Sequence, residues 1–352
     1  MVRVEAEHQA HDNLYFTNPR FTQAGVLISL TNMPENKPKI IVILGPTASG
    51  KSSLGITLAQ EFNGEVISAD SRQVYRGMDI GSGKVHKEEQ TLVPHHLLDI
   101  VDPMADFSLA HYQQAAFAAI DDIIARGKIP FLVGGTALYI YSVIDNYNLT
   151  NVGANLARRK ELEKLSLDEL TVIASTLAGI NSALAKRSNP EINSGIASVA
   201  SLLRNDIKNP RRLIRAIEKL EAGASLDANK KPPRYEALIL GIDVPRDELY
   251  KKIDQRVDER LQPADSAGKG MIEEVIKLRQ TVPDEKLIGF GLEYRWITEY
   301  LQSKHTKEIM IERLKGAIHA FARRQMTWWK KDKRIVWIKN KTEALTMIEK
   351  FI

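Results

Sequence analysis

The chain has 352 residues, 43% of them hydrophobic, no cysteine and a formal net charge of +5. That length supports two or three domains with sizeable cores; no apolar run approaches the ~18 residues of a membrane span, and disulfides and cysteine-bound zinc are excluded, which fits a cytoplasmic protein. The charge is uneven: Lys304–Lys341 holds 12 Lys/Arg against 3 Asp/Glu, so the rest of the chain is net acidic and this stretch suits either a polyanion or a solvated helix face.

Met1–Lys37 precedes the first strong element. Glu5, Glu7 and Asp12 argue against a transit peptide, and the segment has no apolar core of a secretory signal. Phe21–Leu30 suits a short strand, and Met33 suggests an N-terminal extension over residues 1–37 or a start codon assigned too early.

The apolar run Lys39–Leu44 reads as a strand and leads into Gly45-Pro46-Thr47-Ala48-Ser49-Gly50-Lys51-Ser52. This is the G-x-x-x-x-G-K-[ST] pattern. The glycines allow a tight wrap that aims backbone N–H groups inward, and the helix expected over Ser52–Phe62 adds its positive N-terminal end. Lys51 supplies a charge for a terminal phosphate, and the Ser52 hydroxyl suits magnesium. The pattern specifies a phosphate but not whose phosphate.

Further strands are expected at Glu65–Ala69, His95–Val101 and Ile129–Val133, with a helix from the N-cap Ser108 to Ala125 stopped at Gly127. Apolar strands separated by helices imply a parallel sheet covered on both faces. Strand signals then vanish: Leu156–Arg187 reads as helices, and Asn209 caps a helix from Pro210 that ends before Gly223. Strand character returns at Ala237–Val244. Helices follow at Arg246–Leu261, Met271–Arg279, Gly291–Leu301 and Thr306–Lys331, then a strand at Arg334–Ile338 and a helix over Lys341–Ile352. The fold expected is α/β, a P-loop NTPase-like parallel sheet flanked by helices. An all-helical domain is inserted at 145–235 between two core pieces, 38–144 and 236–340, and residues 341–352 form a last helix.

Asp70 stands at the end of the second strand, where open parallel sheets bind ligands. A carboxylate there suits a general base, a magnesium ligand or a cap. A P-loop ATPase normally carries an acid after another buried strand. Here Ile129–Val133 ends in Gly134-Gly135-Thr136, and Asp99 and Asp102 are poor substitutes. This weakens the ATP-hydrolysis reading and gives a reason to expect that the loop grips a diphosphate that is not a nucleotide.

Four stretches together resemble the bacterial tRNA dimethylallyltransferase (isopentenyl transferase) family. They are Gly45–Ser52, Ile67–Gly81 with Lys84, Pro94–Pro103, and Leu132–Tyr139; weaker support comes from Asn209–Glu218 and Phe321–Trp329. The resemblance spans about Lys39 to Ile338. It implies transfer of a dimethylallyl group from its diphosphate to N6 of the adenosine 3′ of a tRNA anticodon, by a cytoplasmic monomer using magnesium. It implies a clamp made of the Gly45–Ser52 loop, with Ser52 on the metal, and Asp70 taking the proton from, or orienting, the attacking amine. Thr136 would line the channel, Arg158 would reach the substrate phosphate or the channel, and Arg256 would lie near the reaction centre. Asp70, Ser71, Arg72 and Gln73 would hold the flipped adenine. Arg211, Arg212, Leu213, Ile214 and Arg215, with Arg323 and Arg324, would contact the anticodon stem-loop, with Trp328 and Trp329 either stacking on bases or in the core.

Simpler roles stand beside these: a turn cap for Asp70, a helix cap for Thr136, an exposed helix arginine for Arg158, a surface ion pair for Arg256. The sequence departs from the family pattern at Arg211, where glutamine is usual. It also departs at the lengthened 261–270 link and at Ile288–Glu293, which lacks a basic residue. The alternatives are a P-loop nucleoside or nucleotide kinase, with the helical insertion as its lid, and an RNA-binding module with a vestigial loop.

Overall fold

Strands without polar alternation must lie between two covered faces. The computed structural model describes residues 37–149, 155–188, 209–223, 230–262 and 270–352. The expected strand at Phe21–Leu30, the question at Met33 and most of the 261–270 link lie outside these residues. Six strands form one sheet: β1 (Lys39–Leu44), β2 (Gly64–Ala69), β3 (His95–His96), β4 (Ile129–Gly134), β5 (Glu236–Ile242) and β6 (Ile335–Ile338), in the order β3-β2-β4-β1-β5-β6. Every pairing is parallel. Ile40–Leu44 of β1 are fully buried, each such side chain contributing roughly 1.5–3 kcal/mol.

The helices are α1 (Lys51–Glu61), α2 (Lys87–Leu92), α3 (Leu109–Ala125), α4 (Ala137–Ile144), α5 (Leu156–Leu162), α6 (Leu167–Ser188), α7 (Pro210–Glu221), α8 (Arg246–Leu261), α9 (Met271–Leu278), α10 (Asp284–Phe290), α11 (Leu292–Leu301), α12 (Lys307–Trp329) and α13 (Lys341–Phe351). The caps read from sequence are in place: Ser108 accepts the His111 amide at 3.2 Å, and Asn209 accepts that of Arg212 ahead of Pro210. None of the described helices is long and apolar enough to cross a membrane.

The chain divides into two units, residues 1–144 with 233–352, and residues 145–232. In the first unit, one core joins the sheet to α1 and α13, and a second is built from apolar faces of α8 through α12. In the second unit, Leu162, Leu170, Ala174, Leu213, Ile214 and Ile217 form the core between α5, α6 and α7.

β3 is far shorter than the expected His95–Val101. Leu97 and Asp99 take left-handed backbone angles, φ 63° and 56°, which no extended strand accommodates. Val101 rejoins the structure by a single parallel bridge to Tyr75. Beside β3, Glu65 of β2 is buried, yet it is paired with Arg126, Lys128 (2.8 Å) and His96 (2.7 Å). The bonded Arg126 guanidinium holds this carboxyl well below the usual range.

The register fixes the site. Leu44 of β1 and Ala69 of β2 both align with Gly134 of β4, so three strand ends finish at one level. Gly45, Asp70 and Gly135 follow directly, at the edge where parallel sheets bind ligands.

Candidate active site

Gly50 ends the loop at φ 84° and no side chain caps α1, which leaves the first amides of that helix for an anion. Gly45 is favoured for a different reason: a Cβ there would lie 2.6 Å from Ser49 Oγ, which would have to move. The residue that turns the loop is Ala48, at φ 64°, a left-handed position the sequence did not disclose. The Ser49 amide donates to Pro46 O at 3.2 Å, while its buried hydroxyl has no hydrogen-bond partner among the described residues. Burial lowers the Lys51 ammonium to about 8 against the opposing pull of Asp70.

Asp70 fills the cap role among those expected of it. Its Oδ1 accepts the amides of Arg72 (2.9 Å) and Gln73 (3.4 Å), capping the turn after β2. No donor among the described residues bonds its Oδ2, and Asp70 lines the same cavity as Lys51 and Ser52. Thr136 does not cap α4 with its side chain. Its Oγ1 accepts the Ser71 amide at 3.0 Å and its own amide donates to Ala69 O at 3.1 Å, tying the end of β4 to the turn after β2.

Arg256 is not in a surface ion pair. It projects from α8 into the cavity wall, and its Nη2 donates to Thr47 Oγ1. Burial, with Arg260 beside it, lowers its guanidinium to about 10. Arg260, one turn on, packs its guanidinium against Gly83, where a Cβ would lie 2.4 Å from Nη2. Lys51, Arg256 and Arg260 thus interact electrostatically, and no salt bridge engages any of the three among the described residues. Such a concentration of positive charge attracts anions. Sequence reading missed Arg260; its i, i+4 spacing from Arg256 was the available signal.

The cavity encloses about 320 Å³. It is lined by the polar Thr47, Lys51, Ser52 and Asp70 and by the apolar Leu138, Leu292, Ile318, Phe321 and Trp328. Arg72 and Arg324 flank the Phe321 ring at 5.8 and 6.0 Å. Arg72 is committed to Glu293 Oε2 at 3.1 Å and to Phe290 O at 3.2 Å, and Gln73 to Ser68 and Gly83 O. The sequence also missed Gln325, which is buried and bonded to Thr47 and Gly135.

The other expected residues are distributed differently. Arg158 lies in the helical unit, its guanidinium on Glu221 at 2.8 Å and Glu161 at 3.0 Å. Arg211 and Arg212 are exposed on α7, and Arg215 bonds Glu218 at 3.0 Å. Leu213 and Ile214 require correction: they are buried in the core of the helical unit, on the inward face of α7, and are not part of an RNA-facing surface. On α12, Arg323 and Arg324 are exposed, the former donating to Tyr250 Oη at 3.0 Å. The two tryptophans divide: Trp329 is fully buried, whereas Trp328 is 44% exposed at the cavity.

Two family models match the chain, IPP transferase over residues 73–332 and isopentenyl transferase over residues 38–99. The chain belongs to the IPP transferase family. A relative in Citrifermentans bemidjiense, tRNA dimethylallyltransferase 2, is 39% identical over 320 residues, covering 90% of this chain and 95% of the relative. The full-length tRNA isopentenylpyrophosphate transferase of Bacillus halodurans superposes with a TM-score of 0.61 at 34% identity, covering 90% of this chain and 95% of that one. A eukaryotic dimethylallyltransferase acting on tRNA gives 0.59 at 26% identity, covering 87% and 75%. Membership of this family sets aside the kinase reading of the phosphate loop.

Proposed function

We propose that this family member is a tRNA dimethylallyltransferase. It transfers the dimethylallyl group of dimethylallyl diphosphate to N6 of the adenosine 3′ of the anticodon and releases diphosphate. The observation that carries the reading is the pairing, in one cavity, of the cationic loop with an Asp70 oxygen that no donor among the described residues engages. The relatives named for this activity support the reading.

In this reading the amides at the start of α1, with Lys51 and Arg256, hold the diphosphate. As the C–O bond of the allyl group breaks, its electron pair passes to a diphosphate oxygen, and these donors meet the charge that develops there. The adenine N6 lone pair forms the new C–N bond. The N6 proton passes to Oδ2 of Asp70, while Oδ1 stays on its turn amides, so the carboxylate does not rotate away. The apolar lining residues Leu138, Phe321 and Trp328 suit both the allyl group and a flipped base.

Magnesium fits this site. The Ser52 hydroxyl is a hard oxygen donor beside a diphosphate pocket, and magnesium is commonly held by one or two protein oxygens with substrate phosphates. The orphaned Ser49 hydroxyl marks a loop whose polar groups are not all satisfied internally. The bound ion would supply charge neutralisation on the leaving diphosphate. The protein would act as a cytoplasmic monomer on the anticodon stem-loop, with the exposed Arg323 and Arg324 on α12 and Arg211 and Arg212 on α7 as its phosphate contacts.

The test compares wild type with Asp70→Ala, using unmodified tRNA and labelled dimethylallyl diphosphate. Wild type should label the RNA, and the variant should lose transfer while binding tRNA nearly as well. Loss of tRNA binding would make Asp70 structural; an unlabelled RNA with wild type would defeat the reading.

A further inference from the structure

The side chain of Gln325 spans the two loops that end β1 and β4. Its Oε1 accepts the Thr47 amide at 3.0 Å, and its Nε2 donates to Gly135 O at 2.8 Å. The orientation of the amide is forced. Turned over, it would set N–H against the Thr47 N–H and oxygen against the Gly135 carbonyl. Gln325 is 6% exposed, so both partners are held out of bulk water. Space is tight as well: a Cβ on Gly135 would lie 2.7 Å from Gln325 Nε2 and 3.5 Å from Lys51 Cε.

Two consequences follow. The Thr47 amide faces a side chain, so it is not one of the loop's anion donors; those are the free amides at the start of α1. The loop's shape on that side is also set from outside, by a helix 278 residues away in sequence. That helix, α12, carries the exposed Arg323, Arg324 and Trp328 within one turn of Gln325. Arg256 engages the same residue from α8, through the Thr47 hydroxyl.

We infer that Gln325 is a positioning residue for the diphosphate: it locks the Thr47 side of the phosphate loop and the β4 end to the cationic helix. A reading of α12 as RNA contact alone would leave the buried Gln325 without a role, since its amide is directed at protein backbone. The inference rests on the reading of Gly45–Ser52 as a diphosphate clamp.

The experiment measures binding of magnesium pyrophosphate by calorimetry to the full chain loaded with an anticodon stem-loop RNA. Wild type is compared with Gln325→Met, which keeps the volume and removes both hydrogen bonds. Gln325→Met should weaken pyrophosphate binding roughly tenfold, the effect of losing two ordinary hydrogen bonds. It should lower kcat as well and leave RNA affinity within about twofold, the range expected of surface changes far from an interface. Gly135→Ala, which crowds the same amide from the opposite side, should give the same pattern and decides the matter if Gln325→Met does not fold. Pyrophosphate affinity equal to wild type, even with a lowered Tm, would make Gln325 merely structural and overturn the inference. A fall in RNA affinity matching the fall in pyrophosphate affinity would overturn it by making Gln325 an RNA contact. If wild type itself binds no pyrophosphate, the clamp reading fails first and the inference with it.

Discussion

Arg256, on the eighth helix, donates a hydrogen bond to the hydroxyl of Thr47, 209 residues earlier in the phosphate loop. The guanidinium is pulled out of water to make it, and burial lowers its pKa to about 10. An arginine held this way adds charge to the loop and fixes the Thr47 rotamer at once. Arg256→Leu removes both effects, and kcat/KM should fall by about 100- to 1000-fold, as for loss of a preorganised donor. Thr47→Val removes only the acceptor and should cost about tenfold. Steady-state kinetics on the single and double variants check this. The double variant should be no worse than Arg256→Leu alone, because the two residues act through one contact.

Lys51 gives the site a pH dependence. Its pKa is lowered by burial to about 8 in the free protein, so the amine is charged below that pH and loses its proton above it. A bound diphosphate would favour the charged form. Affinity for dimethylallyl diphosphate should therefore be level up to about pH 8 and then weaken by up to about tenfold per pH unit. Calorimetry from pH 7 to 9.5 reads this, and Lys51→Arg should flatten the profile. The same burial makes the free protein less stable at neutral pH than an exposed lysine would. The unfolded chain binds the proton more tightly, so this cost is full below pH 8 and fades as pH rises towards 10.5.

Glu65 makes the opposite contribution at the far end of the sheet. Its carboxyl pKa is depressed by Arg126, with Lys128 and His96 also bonded to it. A depressed acid stabilises the fold above its unfolded value of about 4.5, and that stabilisation is lost as pH falls towards the folded value. Glu65→Gln should lower stability at pH 7 by about 1–3 kcal/mol, since a buried bonding group is lost while its partners remain partly exposed. The difference from wild type should shrink in denaturant titrations below pH 4.5.

Much of the fold was legible because its signals are local. β1 and β4 are apolar runs that fit nowhere but a covered sheet, and the limits of α8 follow from its own pattern. β3 was overextended because nothing local marks Leu97 and Asp99 as left-handed; those angles are set by the turn that ties Asp99 to Gln73 and Lys84. α10 was missed although Pro283 and two acids in its first turn were visible. At the site, the sequence named the loop, Asp70, Thr136 and Arg256. It could not show that Asp70 Oδ1 is taken by the turn amides of Arg72 and Gln73. Gln325 escaped because its partners, Thr47 and Gly135, are distant in the chain. Leu213 and Ile214 were misplaced by taking five consecutive residues as one surface, when helical periodicity turns the two apolar ones inward.

In the proposed function the phosphate loop clamps the leaving group of an alkyl transfer to RNA. This is tested most directly by incubating the purified protein with magnesium, unmodified tRNA and labelled dimethylallyl diphosphate, and digesting the RNA to nucleosides. Label is expected on N6 of the adenosine 3′ of the anticodon, with one diphosphate released per group transferred and no dependence on ATP. Unlabelled RNA together with magnesium-dependent ATP turnover would contradict the proposed function.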